Sequence, residues 1–135
     1  MALYSEVTEE NIQELVNKFY DKVRKDAHLA PIFQQTIGEA WDSHLPRMYD
    51  FWSSVMLKTG RFNGRPVPKH MAIEGLHADL FKIWLELFHT TVYELYTDEI
   101  AQRYVIKSEN IAESLQLAVF RAQNLEKLVR PCPIS

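Results

Sequence analysis

His44 and His70 fall on opposite sides of a helix-forming stretch that also carries Phe51 and Trp52, while Tyr20 and Trp84 lie on two further stretches of helical character. Imidazoles set among apolar and polar aromatics suit a flat, metal-centred cofactor. One histidine holds the metal, and a polar group on the other face governs what binds there. An iron porphyrin has those needs, and a helical chain meets them with an axial imidazole, two apolar walls and a few hydrogen-bond donors. Five histidines compete for the ligand role. His28, in a polar bend, and His89, one residue past its apolar line, read as solvated surface groups. His70 follows a proline-containing loop and precedes Met71, Ala72 and Ile73, which suits an imidazole projected toward a buried plane. His77 competes with it, because His77, Leu80, Phe81 and Trp84 share one helical face. Spacing does not separate the two, and a lone histidine beside a loop is commonly structural. Tyr20 and Trp84, taken singly, read equally as core aromatics with their polar atoms at the rim.

The elements that must position these residues follow from hydrophobic spacing. From Thr8 onward Ile12, Leu15, Val16, Phe19, Tyr20 and Val23 mark one helical face, with Thr8 as N-cap and Val7 and Ile12 as the hydrophobic staple around it. HLAPIFQQTIG, with Pro31 and Gly38, breaks the period and predicts a bend with at most a short helical turn, pulling Phe33 into a corner. A second strong helix is expected from about Asp42 to Lys58. Trp41, Leu45, Met48, Trp52 and Val55 follow one line of it and His44, Met48, Phe51 and Val55 an adjoining one, with Pro46 acceptable only in the first turn. TGRFNGRPVPKH must be a loop, and it delivers His70. A third helix is predicted over about Leu76 to Tyr96, with Trp84 in its buried stripe. Thr97 or Asp98 can cap a last helix reaching about Leu128, with a kink or division expected near Lys107 and Ser108. No segment has the alternation of a strand, so the fold class is all-α.

A length of 135 residues at 47% hydrophobic supports one core, so a single domain over 1–135 is expected, its tail from about 129 to 135 frayed. A net charge of −3 with mixed signs gives no footprint for nucleic acid or an anionic membrane, which points to a small neutral ligand. Cys132 is the single cysteine, so an intramolecular disulfide is excluded and a reducing compartment is natural. With no leader-like start and no run of roughly 18 apolar residues, a soluble cytoplasmic protein is expected.

Three blocks now combine: FYDKVRKDAHLAPIF, WDSHLPRMYDFWSSVMLKTGRFNGRPVPKH and HADLFKIWLELF. In this order and spacing, from about Val7 to Thr91, the chain resembles a group III truncated haemoglobin. It also lacks the paired-glycine turns of the other truncated groups. The resemblance implies a shortened globin, a two-over-two helical sandwich around haem b. It implies His70 as the proximal iron ligand, ahead of His77, with His44, Tyr20 and Trp84 on the distal side. Phe33, Met48, Phe51 and Trp52 match pocket or packing positions. Lys69, Arg61 and Arg65 are candidates for the haem propionates, although for each a solvated loop charge is the more ordinary reading.

The function expected on this basis is binding of dioxygen or another diatomic gas at ferrous iron, with a polar distal pocket slowing release. The alternative is a haem redox enzyme, peroxidase-like or a nitric oxide dioxygenase, served by an electron-donating reductase. A helical interaction module whose aromatics are only core is the third reading.

Overall fold

The computed structural model describes residues 3–62 and 78–129, with side chains described as far as 119. Five helices follow in order: α1 (Glu9–Lys25), α2 (Leu29–Thr36), α3 (Trp41–Leu57), α4 (Ala78–Leu95) and α5 (Asp98–Val129). Among the described residues there is no strand. The one isolated bridge joins Tyr4 to Tyr96, where Tyr4 donates to the Leu95 carbonyl at 2.9 Å and Thr97 donates to the Tyr4 carbonyl at 2.9 Å.

The start of α1 is doubly specified. The Asn11 amide donates to Thr8 Oγ1 at 3.1 Å, and the Thr8 amide donates to Asn11 Oδ1 at 2.9 Å, which satisfies two otherwise orphaned donors. Val7 packs on the core that Ile12 enters, as the staple requires. The buried face is Asn11, Ile12, Leu15, Val16, Phe19, Tyr20 and Val23, so the sequence period and the packed face coincide.

Three expectations need correction. The segment after Asp26 is a full eight-residue helix, α2, rather than a bend. Pro31 is its third residue, where no intrahelical acceptor is needed from the ring nitrogen. The Asp26 carboxylate closes the start by accepting from the amides of His28 and Leu29 at 2.8 and 2.9 Å. Pro46 lies in the second turn of α3, beyond the first turn to which it was assigned, so the Asp42 carbonyl forgoes its ordinary helical partner. The division expected at Lys107 and Ser108 does not occur. The backbone of α5 continues through both residues, and the buried Ser108 hydroxyl is satisfied by donating to the Val105 carbonyl at 2.9 Å.

α1 packs against α3 and α4, and α4 packs against α5, so the pairs α1/α3 and α4/α5 cross through α1 and α4. α2 closes the corner against α1 and, more lightly, α4. Ion pairs from Lys18 and Lys22 to Glu94 tie the outer edges of α1 and α4. α3 ends at Lys58 in the left-handed region, φ 59°, and Gly60 follows at φ 72°, a value that glycine adopts without strain. The buried cluster draws on all five helices, from Ile12 to Tyr104.

Candidate functional site

Tyr20 faces inward near the end of α1, 7% exposed, because the α1 apolar stripe runs through it. His44 in the first turns of α3 stands edge-on to its ring at 5.4 Å and edge-on to Trp41 at 5.5 Å. Trp41 in turn lies 5.5 Å from Tyr20 and stacks at 6.0 Å on Phe33 of α2. Tyr20, Phe33, Trp41 and His44 are therefore one aromatic corner where three helices meet. The Tyr20 hydroxyl has no hydrogen-bond partner among the described residues, and burial pushes its phenol well above the usual tyrosine range. It remains a proton donor at any working pH.

Trp84 belongs to a second ring group. It stacks on Phe88 at 5.6 Å with an interplanar angle of 3°, and meets Phe19 edge-to-face at 5.5 Å. Phe19 also touches Tyr20, at 4.9 Å, and so links the two groups. Trp84 is half-buried rather than inside the stripe as expected, and it touches both the main cluster and a smaller one of Phe81, Ala112 and Leu115. Trp52 is fully packed, stacked 4.8 Å from Phe88. Met48 and Phe51 are half-buried on the adjoining line of α3, with Phe51 5.2 Å from Phe62.

The structure thus brings Tyr20, His44 and Phe33 together directly, and connects Trp84 to them through Phe19. His70, His77, Lys69 and Arg65 lie outside the described residues. Arg61 is an exposed loop charge, as its more ordinary reading has it, and it is ion-paired. Its guanidinium pairs with Glu9, reaches Asp50 at 3.4 Å, and donates to the buried Ser53 hydroxyl at 2.9 Å. Ser53 donates to Glu9 Oε1 at 2.7 Å, and the bonds from Ser53 and Arg61 hold the Glu9 carboxyl below its usual range. His28 is exposed, as expected. His89 is not simply solvated, being half-buried with Nε2 3.4 Å from Ser108 Oγ and 3.9 Å from Glu109.

Two groups escaped the sequence. Trp41 reads as one more apolar position on its line, yet it lines a cleft of about 470 Å³ shared with Arg24, Ala27, Phe33 and Gln34, and stands between that cleft and Tyr20. The Arg24 guanidinium sits 4.8 Å over its ring. Ser53 breaks an apolar line, and the acid three residues before Ile12 was the available signal for its partner.

Haem asks for flat apolar walls and a protonated donor without a protein partner. Phe33, Met48, Phe51 and Trp84 supply half-buried apolar surface, and Tyr20 supplies the donor, so the described residues fit such a group. Among the described residues no cluster of three or more His, Cys, Asp or Glu forms a bare metal site, and no helix is long and apolar enough to cross a membrane.

No protein-family model matches the chain. The group 3 truncated hemoglobin ctb of Campylobacter jejuni is 32% identical over 121 residues, covering 87% of this chain and 95% of that protein. The crystal structure of a group III truncated hemoglobin from Campylobacter jejuni superposes with a TM-score of 0.83 at 32% identity, again covering 87% and 95% of the two chains.

Proposed function

Because the chain belongs to the group III truncated haemoglobins, we propose that it binds haem b through His70 and takes dioxygen or a related diatomic gas on the opposite face, releasing it slowly. When bound, haem supplies the iron atom at which the gas is held. The chain supplies the donors. The single observation that carries this reading is the Tyr20 phenol, which is buried and protonated and has no hydrogen-bond partner among the described residues beside His44 and Phe33.

A hydrogen bond is strengthened when its acceptor carries charge and water is excluded. The Tyr20 hydroxyl and the Trp84 indole N–H are the donors toward a ligand that gains negative charge. His44, with a ring nitrogen that gives or takes a proton, is the third polar group and an acid-base or gating residue. Phe33, Met48, Phe51 and Trp52 form walls and packing behind the ring.

The same donors serve a second reading, a haem redox enzyme of peroxidase or nitric oxide dioxygenase type with a reductase as electron source. The ring contacts that join Trp84 to buried tyrosines favour keeping it. Visible spectra of the haem-reconstituted protein test the main reading. A ferrous carbonyl Soret band typical of histidine ligation is expected, and its loss in His70→Ala assigns the ligand. A carbonyl spectrum unchanged in His70→Ala moves the assignment to His77, and absence of haem uptake overturns the reading. Sustained peroxide or nitric oxide consumption with a reductase present separates the enzyme from the gas carrier.

A further inference from the structure

Aromatic rings, all but Phe88 oxidisable, form a continuous row from the proposed haem side to the surface. Trp84 stacks on Phe88 at 5.6 Å, and Phe88 stacks on Trp52 at 4.8 Å. Trp52 is 5.8 Å from Tyr104, Tyr104 is 4.9 Å from Tyr96, and Tyr96 is 5.9 Å from Tyr4. Everything between the two ends is buried: Phe88, Tyr104 and Tyr96 are 0% exposed and Trp52 is 2% exposed, whereas Tyr4 is 40% exposed. All successive centroid separations are those of rings in contact. The final step is pinned by the backbone bonds that hold Tyr4 on Leu95 and Thr97.

The two ends also differ chemically from the middle. A phenol loses an electron readily only if its proton has somewhere to go. The Tyr96 hydroxyl donates to the Asn11 amide oxygen at 2.8 Å and lies 3.1 Å from the Tyr104 hydroxyl, and neither neighbour is a useful base. The Tyr4 hydroxyl donates to the Glu14 carboxylate at 2.5 Å, and a carboxylate is one. Tyr93, another surface tyrosine at 42% exposed, makes no ring contact with the row among the described residues.

We propose that this row carries oxidising equivalents out of the pocket to Tyr4, where Glu14 receives the proton. The proposal rests on the haem reading above. Hydrogen peroxide is the oxidant: its O–O bond breaks as it takes up two electrons, one oxygen leaves as water with both peroxide protons, and the other would be held by the haem. One electron comes from the haem and one from Trp84. Trp84 is refilled by single electrons passed through Trp52, Tyr104 and Tyr96. Tyr4 ends the relay by losing one electron to the row and its phenolic proton to Glu14, which leaves a neutral tyrosyl radical at the surface. Phe88 is not oxidised and serves as the spacer between the two indoles. Two such surface radicals on separate molecules couple carbon to carbon and yield a dityrosine cross-link.

The test uses the holoprotein, with its haem verified first by the ferrous carbonyl spectrum, and then treated in the ferric state with hydrogen peroxide. Electron paramagnetic resonance reads the radical, and fluorescence with denaturing gels reads dityrosine-linked dimers. The expected result is a tyrosyl signal and dimers that are lost in Tyr4→Phe, reduced in Glu14→Gln and unchanged in Tyr93→Phe. Tyr104→Phe, which keeps the ring and removes the oxidisable hydroxyl, should hold the radical on tryptophan. Dimers that persist in Tyr4→Phe, or vanish in Tyr93→Phe, overturn the route while leaving the haem reading intact. Failure to take up haem overturns that reading, and the route with it.

Discussion

A phenol on a buried ring that donates to no described residue keeps its proton for another acceptor. Tyr20 is such a group, and its raised phenol makes the sign of its pH dependence plain. Its proton is present throughout the neutral range and remains so past the ordinary tyrosine value of 10.0. Tyr20→Phe should therefore speed release of dioxygen by a factor that is the same at every pH up to that value. A hydrogen bond to a charged acceptor is worth about 1.5–3 kcal/mol, so the expected factor is about ten- to two-hundredfold. Stopped-flow displacement by carbon monoxide measures it. Trp84→Phe should act in the same direction, and an unaltered release rate in either variant would remove that residue from the donor set. At this scale the sequence was informative about residue identity more than about partnership. Tyr20 and His44 were legible because each sits on an apolar face. Trp41 was not, since nothing in a line of apolar residues says which one separates a cleft from a pocket. The ion pair from Arg61 was not legible for a similar reason, because the Glu9 carboxylate lies far away in sequence, on α1.

Helix boundaries were legible wherever the apolar period ran for several turns, as in α1 and at the end of α4. They failed where Pro31 was taken as a breaker, and Pro46 was placed one turn too early within α3. Pro31 at the third position of α2 loses nothing, since first-turn amides lack intrahelical acceptors in any case. Pro46 does lose a bond, and because it is exposed, Pro46→Ala should stabilise the protein by about 1–3 kcal/mol in urea titration. The opposite effect is expected at the head of α1. Thr8→Ala should cost about 1 kcal/mol as a lost cap. Asn11→Ala should cost more, because it also strips the Tyr96 hydroxyl of its acceptor inside the core, a loss of about 1–3 kcal/mol by itself. Glu9 ties this same helix start to α3 and Arg61. Its carboxyl is depressed in the folded state, so the stability it contributes is present above its ordinary value of 4.5 and disappears as pH falls through the folded value. Glu9→Gln should flatten that part of the acid-unfolding curve.

For the whole molecule, the buried cluster spans all five helices. We therefore expect residues 1–135 to unfold as one unit, with far- and near-ultraviolet circular dichroism tracing a single coincident urea transition. Two separated transitions would divide the chain. The all-helical class followed from the sequence because nothing alternates with a period of two. The way α1/α3 crosses α4/α5 did not follow from periodicity, which identifies the inward face of each helix without naming its partner. That step came from the resemblance.

The bridge between Tyr4 and the corner after α4 has a consequence during synthesis. Tyr4 is made well before α4, yet the carbonyl of Leu95 and the amide of Thr97 that hold it leave the ribosome only after α4 is complete. Until then α1 has its cap but no clasp, and a nascent chain must keep the segment around Tyr4 free across a long interval. Contacts so far apart in sequence are closed late. Arrested chains ending inside α4 should thus leave the segment around Tyr4 open to protease, and chains extended past Thr97 should protect it.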